Sequence, residues 1–483
     1  MRTASGRLYW NRLKWKWNGD GEMLKKNKNL DMTQGEPAKL LLLFALPMLI
    51  GSVFQMMYNM VDTIVVGRFV SVEALAAIGA TSSATAFLLQ VGSGLTNAVS
   101  VVLAQAEGAK QEESLRKAVA HSVYLIAGGG IFLGALSFWG ARPLMMLLGT
   151  PENIIDQSVI YLQITGGLTL ALLAYNGVSA ILRAIGDSKT PLYFLIFCSI
   201  LNVLLDLLFV LAFHGGVAGV ASATVISQGL SAVLCLIYML KKYPRLRPDR
   251  ASFRFDGKLM GDYLRIGLPM CLQSLLLCIG MFVITAVINS YGSDIVAAYT
   301  IGSKVEQLAT ITFSNMAFSF SVYAGQNFGA RKYERIAEGL KKGIAIISSL
   351  ALLSTAVMWM FADFFAKLFL DTNQTTLVLE GAVSMIRTEA LLFVALGAIW
   401  TVNSALRGMG KVKITLISSI IELVSKIGIS VLLPMAIGYA GIWMAAPIGW
   451  VLGLLPSLFY LKQWFKKQTE SSCSGSGLIG RTN

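Results

Sequence analysis

The chain has 483 residues, of which 55% are hydrophobic and only 14% charged, and its formal net charge is +14. Soluble domains carry about 25% charged residues, so this composition excludes an ordinary water-soluble protein. The positive charge does not indicate nucleic-acid binding, because it is concentrated in alternate loops between apolar stretches. By the positive-inside rule these loops face the cytoplasm. The basic loops contain Lys110, Arg116 and Lys117, then Arg183 and Lys189, then residues 241–265, then residues 331–342, and finally Arg407, Lys411 and Lys413.

Apolar stretches of about 20 residues, the length of a membrane-spanning helix, recur from Leu40 to near Tyr460. They predict an all-α polytopic membrane protein with about 12 transmembrane helices. The predicted spans are residues 40–67, 73–106, 118–139, 158–182, 190–213 and 217–240, then 263–291, 294–328, 336–361, 381–406, 414–437 and 441–461. We expect a multi-pass protein of the inner (plasma) membrane with both termini in the cytoplasm.

A hydrophilic, Arg-rich segment divides the chain into two halves. The predicted domains are a basic cytoplasmic tail at 1–38, a six-helix bundle at 39–240, a cytoplasmic linker at 241–260, a second six-helix bundle at 261–462 and a cytoplasmic tail at 463–483. The first tail either lies on the membrane surface or is partly non-native, with translation beginning at Met23 or Met32.

The two halves repeat one another. Leu46-Pro47-Met48 recurs as Leu268-Pro269-Met270, 222 positions later (from 47 to 269). Other corresponding pairs at nearly the same displacement are Glu73 and Asp294, Gln105 and Gln326, Gly108 and Gly329, Arg183 and Arg407, and Gly186 and Gly410. Because each half has an even number of spans, we expect two pseudo-symmetric bundles related by an axis along the membrane normal.

Neither a disulfide framework nor a catalytic constellation is apparent. Four of the five cysteines lie in apolar stretches, and the only histidines are His121 and His214. A membrane-embedded transferase or protease, the alternative from the class of enzymes, needs a nucleophile with a base or a metal cluster. We therefore expect no enzyme activity, and ordinary solvated positions for both histidines.

Four polar side chains in the first half form a candidate cation site. Asn202 and Asp206 are four residues apart and share one helix face. Asp206 and Thr224 are predicted at a similar depth, roughly 12 Å from the outer helix ends, and Asp62 in the outer half of its span. Together they offer either an oxygen shell for a hard cation such as Na⁺ or two carboxyls that share a proton. Alternatively, these side chains only cross-link helices by hydrogen bonds.

Other polar and apolar residues suggest a moving cleft. Pro47 and Pro269 each permit a bend within their spans, which is either a hinge or a structural kink shared by the two halves. Met and aromatic side chains suit varied apolar cations, and the predicted cleft residues are Gln55, Met56, Tyr58, Met281 and Met316. The alternative is that these side chains face lipid or belong to the core. The remaining charges inside spans have no assigned role: Lys304, Glu306, Arg387, Glu389, Glu422 and Lys426. Glu422 and Lys426, four apart, can neutralise each other, whereas Lys304 and Glu306 do not face each other on a helix.

Several ordered blocks resemble one transporter family. They read LP at 46–47, VDTIVVGR at 61–68, EALAA at 73–77, LRAIGD at 182–187, LNVLLD at 201–206 and GVAGVASAT at 216–224. In this order, and within a two-fold repeat of six spans, they resemble multidrug and toxic compound extrusion transporters over about residues 36–465.

The resemblance implies a secondary antiporter that exports cationic amphipathic drugs from the cell in exchange for sodium ions or protons, with no other cofactor. It also implies that Asp62, Asn202, Asp206 and Thr224 bind the cation and that Pro47 marks the bend of the first helix. Some branches of the family carry a carboxylate in the seventh span, and this chain has none between Arg265 and Ser290. Glu306, Glu389 or Glu422 can take its place. We expect a monomer with small-molecule substrates and no nucleic-acid partner; the alternative transporter is a lipid-linked precursor flippase of the same superfamily.

Overall fold

The structure is a computed structural model, and it describes residues 29–370 and 376–476. Within these ranges the chain folds into helices and turns without a β-strand. In chain order the α-helices are α1 Pro37–Phe69, α2 Val72–Gly108, α3 Glu112–Leu147, α4 Glu152–Gly167, α5 Thr169–Ala184, α6 Lys189–Leu207, α7 Gly216–Lys242, α8 Gly257–Asn289, α9 Ser293–Gly329, α10 Tyr333–Met360, α11 Ala362–Lys367, α12 Thr376–Ala390, α13 Phe393–Gly408, α14 Val412–Leu432, α15 Pro434–Ile437, α16 Ala440–Trp443 and α17 Ala445–Ser476. A π-helix, Leu208–Ala212, continues α6, and a 3₁₀ turn, Pro244–Leu246, follows α7.

The predicted class, an all-α membrane protein of two pseudo-symmetric six-helix bundles, is confirmed. Among the described residues, ten helices are long and apolar enough to cross a membrane, and the bent pair α12–α13 makes eleven. We assign α9 as the twelfth span. It has 37 residues, or about 55 Å of helix at 1.5 Å per residue, and Lys304 and Glu306 make it more polar than the others.

The fourth span of each half is broken, which the apolar pattern did not predict. The first break, at Leu168, separates α4 from α5. The second, at Leu391 and Leu392, bends α12 against α13 by 52°. Leu168 and Leu391 correspond in the repeat, so the break belongs to the shared fold. Gly166 and Gly167 mark the first break in the sequence, but no glycine or proline marks the second.

The first helix of each half crosses into the core of the other half. We call the end of the molecule that carries the Lys- and Arg-rich loops the basic end, and the opposite end the outer end. Near the basic end, Leu41 and Phe44 of α1 are buried in the core of the second half. Reciprocally, Tyr263 and Ile266 of α8 are buried in the core of the first half, and the Tyr263 hydroxyl donates to the Ala118 carbonyl (2.8 Å). The bundles are therefore interlocked at the basic end.

The hydrophilic linker between the halves is packed against α2 and α3. Arg245 donates to both carboxylate oxygens of Glu107, at 2.8 and 2.9 Å. Leu246 is fully buried, and the Tyr124 hydroxyl donates to the Phe253 carbonyl (2.8 Å). The linker thus continues the surface of the first bundle.

The prediction that His121 is solvated was wrong. Its side chain is fully buried, with Nδ1 2.8 Å from the Lys117 carbonyl. The backbone N–H of Asp256 donates to Nε2 (2.8 Å). Sequence position near a helix start suggested exposure, but the linker folds back over this face of α3. His121 therefore fastens the linker to the bundle.

Candidate cation site

The structure brings together all four residues predicted to form the cation site. Asp62 lies on α1, Asn202 and Asp206 on α6, and Thr224 on α7. Asn202 and Asp206 are fully buried. With its amide oriented to satisfy both neighbours, Asn202 donates to Asp206 Oδ2 (3.1 Å) and accepts from the backbone N–H of Thr224 (3.2 Å). Asn202 therefore joins α6 to α7 and holds one face of the Asp206 carboxyl.

Asp62 and Asp206 lie close enough to interact electrostatically across the interface between α1 and α6. Two neighbouring carboxyls at a buried site can share one proton. One oxygen of each, Asp62 Oδ1 and Asp206 Oδ1, is buried without a protein partner. Buried polar atoms are rarely left unpaired. The pair therefore has the chemistry to accept a further ligand: a proton, a water molecule or a cation.

The backbone changes just after Asp206, where α6 widens into the π-helix Leu208–Ala212. The N–H of Phe213 bonds to the carbonyl of Leu208 (3.3 Å), five residues back. His214 and Gly216 then adopt positive φ angles of 51° and 53° and reverse the chain into α7. Single π-turns are frequent at functional sites. Here the turn fixes the register at which α7 presents Thr224 to Asn202.

Two tyrosines complete the surroundings of the carboxyl pair. Tyr58 and Tyr161 both interact electrostatically with Asp62 and Asp206. Tyr58, predicted only as a cleft residue, precedes Asp62 by four residues, so the helical spacing was a usable signal. Tyr161 comes from α4, and nothing in the sequence links it to the site.

The predicted cleft residues do not line one common cavity. Gln55 and Tyr58 line a cavity of about 180 Å³, together with Pro47. Met281 lines a second cavity, of about 540 Å³. Met56 is 43% exposed on α1, whereas Met316 is buried in the core of the second bundle. Met316 is therefore a packing residue, and hydrophobicity alone could not separate it from the cavity-lining residues.

Charged side chains cluster in the second bundle, and Glu306, Glu422 and Lys426 among them line the larger cavity. Glu306 and Glu389 lie close enough to interact electrostatically with each other and with Lys426. Lys426 also forms an ion pair with Glu422 at 2.7 Å, as the spacing of four predicted. Lys304 points elsewhere, over the ring of Phe369 at 5.6 Å, which confirms that Lys304 and Glu306 do not face each other. Sequence reasoning treated these charges separately because their proximity arises from the packing of α9, α12 and α14.

The predicted hinge residue, Pro47, is buried within a continuous α1. Its ring removes one backbone N–H donor from the helix interior. On its basic side, the Ser319 hydroxyl donates to the Leu41 carbonyl (3.0 Å). On its outer side, Asn315 donates to the Ser52 hydroxyl (2.9 Å). Pro47 thus lies between two points at which α1 is attached to α9.

Comparison with known proteins supports the division of the chain into two repeated halves. The sequence profile of the MatE family matches residues 47–208 and 269–432, so that each matched segment begins at one of the two corresponding prolines. The chain is 29% identical over 395 residues to the probable multidrug resistance protein YpnP of Bacillus subtilis, covering 82% of this chain and 88% of that protein. It is 23% identical over 437 residues to the probable multidrug resistance protein NorM of Thermotoga maritima, covering 89% of this chain and 88% of that one.

Solved structures share the fold. A multidrug resistance MATE family transporter in an outward-facing conformation superposes with a TM-score of 0.85 at 23% identity, covering 92% of this chain and all of that chain. A MATE structure in a bent conformation gives a TM-score of 0.85 at 24% identity, covering 92% of this chain and 98% of that one. The family match spans both halves, and the fold agrees over nearly the whole described chain. This multi-pass membrane protein therefore belongs to the MatE family, the multidrug and toxic compound extrusion transporters, and is a transporter and not an enzyme.

Proposed function

We propose that the protein exports cationic, amphipathic compounds across the plasma membrane in exchange for sodium ions or protons. The observation that carries the proposal is the approach of Asp62 to Asp206, each with a buried oxygen that has no protein partner. The pair, with Asn202 and Thr224, is the coupling site. The two halves of one chain supply both bundles, so the proposed working unit is a monomer.

The site suits either coupling ion. In the proton form, the two carboxyls share one proton, and exchange of that proton changes the charge buried between α1 and α6. In the sodium form, the ion replaces the shared proton and takes oxygens from Asp62, Asp206, Asn202 and Thr224, the donor type that hard cations prefer. Either ion shifts the conformational equilibrium only if it binds the two states with different affinities.

The position of α1 supports coupling between the ion site and the bundle interface. The outer part of α1 brings Asp62 next to α6. Closer to the basic end, α1 is attached to α9 at Leu41 and Ser52, on either side of Pro47. A change in charge at Asp62 therefore acts on a helix that belongs to both bundles. Bending at Pro47 would move one attachment relative to the other.

The cavities support a cationic, amphipathic substrate. The larger one, about 540 Å³, lies within the range of drug-sized sites. Its lining combines the Glu306 carboxyl with Trp400, Trp450 and Phe318. Aromatic faces and carboxylates both attract organic cations.

A lipid-linked precursor flippase is not favoured. Such a substrate carries a pyrophosphate, which calls for several free basic side chains. Lys426 is already neutralised by Glu422 at 2.7 Å, and Lys304 lies over an aromatic ring. Arg407 remains in the cavity lining, bonded to the Ser404 hydroxyl (2.9 Å).

The test is efflux of a fluorescent cationic dye from liposomes containing the purified protein, under a sodium gradient and a proton gradient imposed separately. We expect acceleration by one gradient, which identifies the coupling ion. Asp62→Asn should abolish that acceleration, because the amide cannot exchange a proton and carries no charge for a cation.

The matched control is Thr63→Ala, the next residue on α1, whose hydroxyl donates only to the Asn59 carbonyl (2.8 Å). It should keep gradient-driven export. Normal coupled export by Asp62→Asn would contradict the proposed coupling site. A dye that moves equally fast without either gradient would contradict antiport itself.

A further inference from the structure

The two bundles are joined at the basic end by a reciprocal pair of hydrogen bonds. Gln105, near the end of α2, donates to the carbonyl of Gly408 at the end of α13 (2.8 Å). Gln326, near the end of α9, donates to the carbonyl of Ala184 at the end of α5 (2.7 Å). The four residues correspond in pairs in the internal repeat. The contact is therefore a two-fold clasp between the bundles.

The segment preceding α1 adds a second connection on one side of this clasp. We call residues 29–36 the strap. It is bound to the second bundle by four hydrogen bonds. The bonds run from Met32 N to Gln326 Oε1 (3.0 Å), from Asn327 Nδ2 to the Met32 carbonyl (2.9 Å), from Lys332 Nζ to the Thr33 carbonyl (2.9 Å) and from Arg335 Nη2 to the Gly35 carbonyl (2.8 Å).

The other end of the strap is bound to the first bundle. The backbone N–H of Leu30 donates to the Gly186 carbonyl (3.3 Å), and the Tyr243 hydroxyl lies 2.7 Å from Asn29 Oδ1. A side chain at Gly186 would collide with the Leu30 carbonyl, and φ at Gly186 is +87°. Glycine at this position therefore allows the strap to lie directly on the α5–α6 turn.

The strap is an integral part of the closed basic end. Met32 is fully buried in the core of the second bundle, although it lies outside any transmembrane helix. The carbonyls of Met32, Thr33 and Gly35 are satisfied by side chains of α9, α10 and the turn between them. Because one end of the strap is held by the first bundle and the other by the second, the basic end cannot open until one set of these bonds breaks.

We propose that residues 29–36 act as a latch that holds the two bundles together at the basic end and so sets how often that end opens. Gln326 is the central residue of this latch, because its amide donates to the first bundle while its carbonyl oxygen accepts from the strap. The corresponding Gln105 has no strap contact. The latch therefore strengthens only one of the two symmetry-related contacts of the clasp. It goes beyond the transport proposal, since it depends on neither the coupling ion nor the substrate.

The test compares the full-length protein with Lys332→Ala/Arg335→Ala, which removes two anchors of the strap. The matched control is Lys341→Ala/Lys342→Ala on α10, which changes the net charge by the same amount. In the described structure Lys342 pairs only with Glu338. Hydrogen–deuterium exchange is measured in lipid nanodiscs at the basic end (residues 105–112 and 326–332) and the outer end (residues 66–75 and 288–296).

We expect the double variant to increase exchange at the basic end and to decrease it at the outer end, while the control matches the parent protein. Loss of two hydrogen bonds should change the ratio of open to closed basic ends roughly tenfold. Faster exchange confined to the strap, with an unchanged outer end, would mean only local loosening and would overturn the proposal. So would a double variant indistinguishable from its control.

A second pair of variants tests the asymmetry without removing charge. Gln326→Ala removes one arm of the clasp and the strap bond, whereas Gln105→Ala removes only the other arm. Gln326→Ala should increase amide exchange at the basic end and decrease it at the outer end severalfold more than Gln105→Ala does. Equal changes for the two variants would show that the strap's bond to Gln326 contributes nothing to closure and would contradict the central role of Gln326 in the latch.

Discussion

Asp187, in the turn between α5 and α6, is a buried carboxylate with a complete set of partners. Its Oδ2 accepts from the Tyr243 hydroxyl (2.6 Å), the Thr190 hydroxyl (2.7 Å) and Lys242 Nζ (3.0 Å). Its Oδ1 accepts from the Thr190 N–H (3.0 Å). Burial alone would raise the pKa of Asp187, but these donors outweigh burial and hold the pKa below its usual value. Burial, followed by the hydrogen bond to Asp187, raises the pKa of the Tyr243 hydroxyl to about 12.

Asp187→Asn should therefore destabilise the protein at neutral pH by roughly 2 kcal/mol, since charge-assisted hydrogen bonds are lost at a buried site. The folded-state pKa lies below the unfolded value of about 3.9, so the carboxylate contributes fully above that value and loses its contribution as pH falls through the folded pKa. The difference in thermal midpoint between parent and variant should stay constant from about pH 8 to pH 5 and narrow only below about pH 4.

Asp249→Asn is the control for this measurement. Asp249 is also a carboxylate near the basic end, but it only caps the turn at Ser252 (2.8 and 2.6 Å). The Asp249→Asn substitution should leave the thermal midpoint in detergent nearly unchanged at neutral pH. A midpoint for Asp187→Asn equal to that of the parent would show that the network does not stabilise the fold.

At the scale of elements, α1 and α8 have corresponding sequences and different tasks. Both cross between bundles near the basic end, and both contain a proline in their interior. Only α1 carries a carboxylate, Asp62, in its outer half; the position 222 residues later is Ile284. A bend in α1 therefore moves the carboxylate of the candidate ion site, whereas a bend in α8 moves no carboxylate of its outer half and displaces instead the contact of Gln273 with Thr415 (2.6 Å).

Pro47→Ala should lower gradient-driven export by an order of magnitude or more and leave folding intact. Alanine restores a backbone hydrogen bond and favours straight helix over proline by about 3 kcal/mol, so bending becomes more costly. Export is measured by dye efflux, and folding by the thermal midpoint in detergent. Pro269→Ala in α8 serves as the control and should reduce export less. Similar losses in both variants would assign the two prolines a shared structural role.

The whole molecule closes at the basic end because α2 and α9 cross in direct backbone contact at Gly108 and Gly329. A Cβ at Gly108 would collide with the carbonyl of Gln326, and a Cβ at Gly329 with that of Gln105. These two glycines correspond in the repeat, so the crossing is itself two-fold symmetric. Close approach of the helix ends brings Gln105 and Gln326 within reach of the carbonyls that they bind.

Gly108→Ala should therefore shift the protein toward conformations open at the basic end. Overpacking costs typically 1–3 kcal/mol, which corresponds to roughly a tenfold change in the ratio of conformations. The shift is read as faster amide exchange at residues 105–112 with slower exchange at the outer end. Gly128→Ala, on α3, is the control because no other group lies within 4 Å of its Cβ position. If Gly108→Ala leaves amide exchange at both ends unchanged, the close crossing of α2 and α9 has no steric role in closure.

Much of the architecture could be predicted because it depends on local and periodic properties. Apolar stretches of bilayer length predict spans, the alternation of basic loops predicts their orientation, and the displacement between Pro47 and Pro269 predicts two related halves. The candidate cation site was predictable for a related reason. Asn202 and Asp206 share a helix face through their spacing of four, and charged or amide groups are so costly in a membrane that few positions needed consideration.

Contacts between distant segments depended on tertiary structure alone. The breaks at Leu168 and Leu391 are set by packing, since the second has no glycine or proline to mark it. Burial of His121 beneath the linker, the approach of Tyr161 to Asp62, and the gathering of Glu306, Glu389 and Lys426 all join residues far apart in sequence. Hydropathy reports how costly a side chain is to bury, but only the packed chain decides which partner meets it. For that reason the sequence by itself determined the spans, the repeat and four candidate site residues, whereas the folded chain decided the strap, the clasp and the separation of the cleft residues.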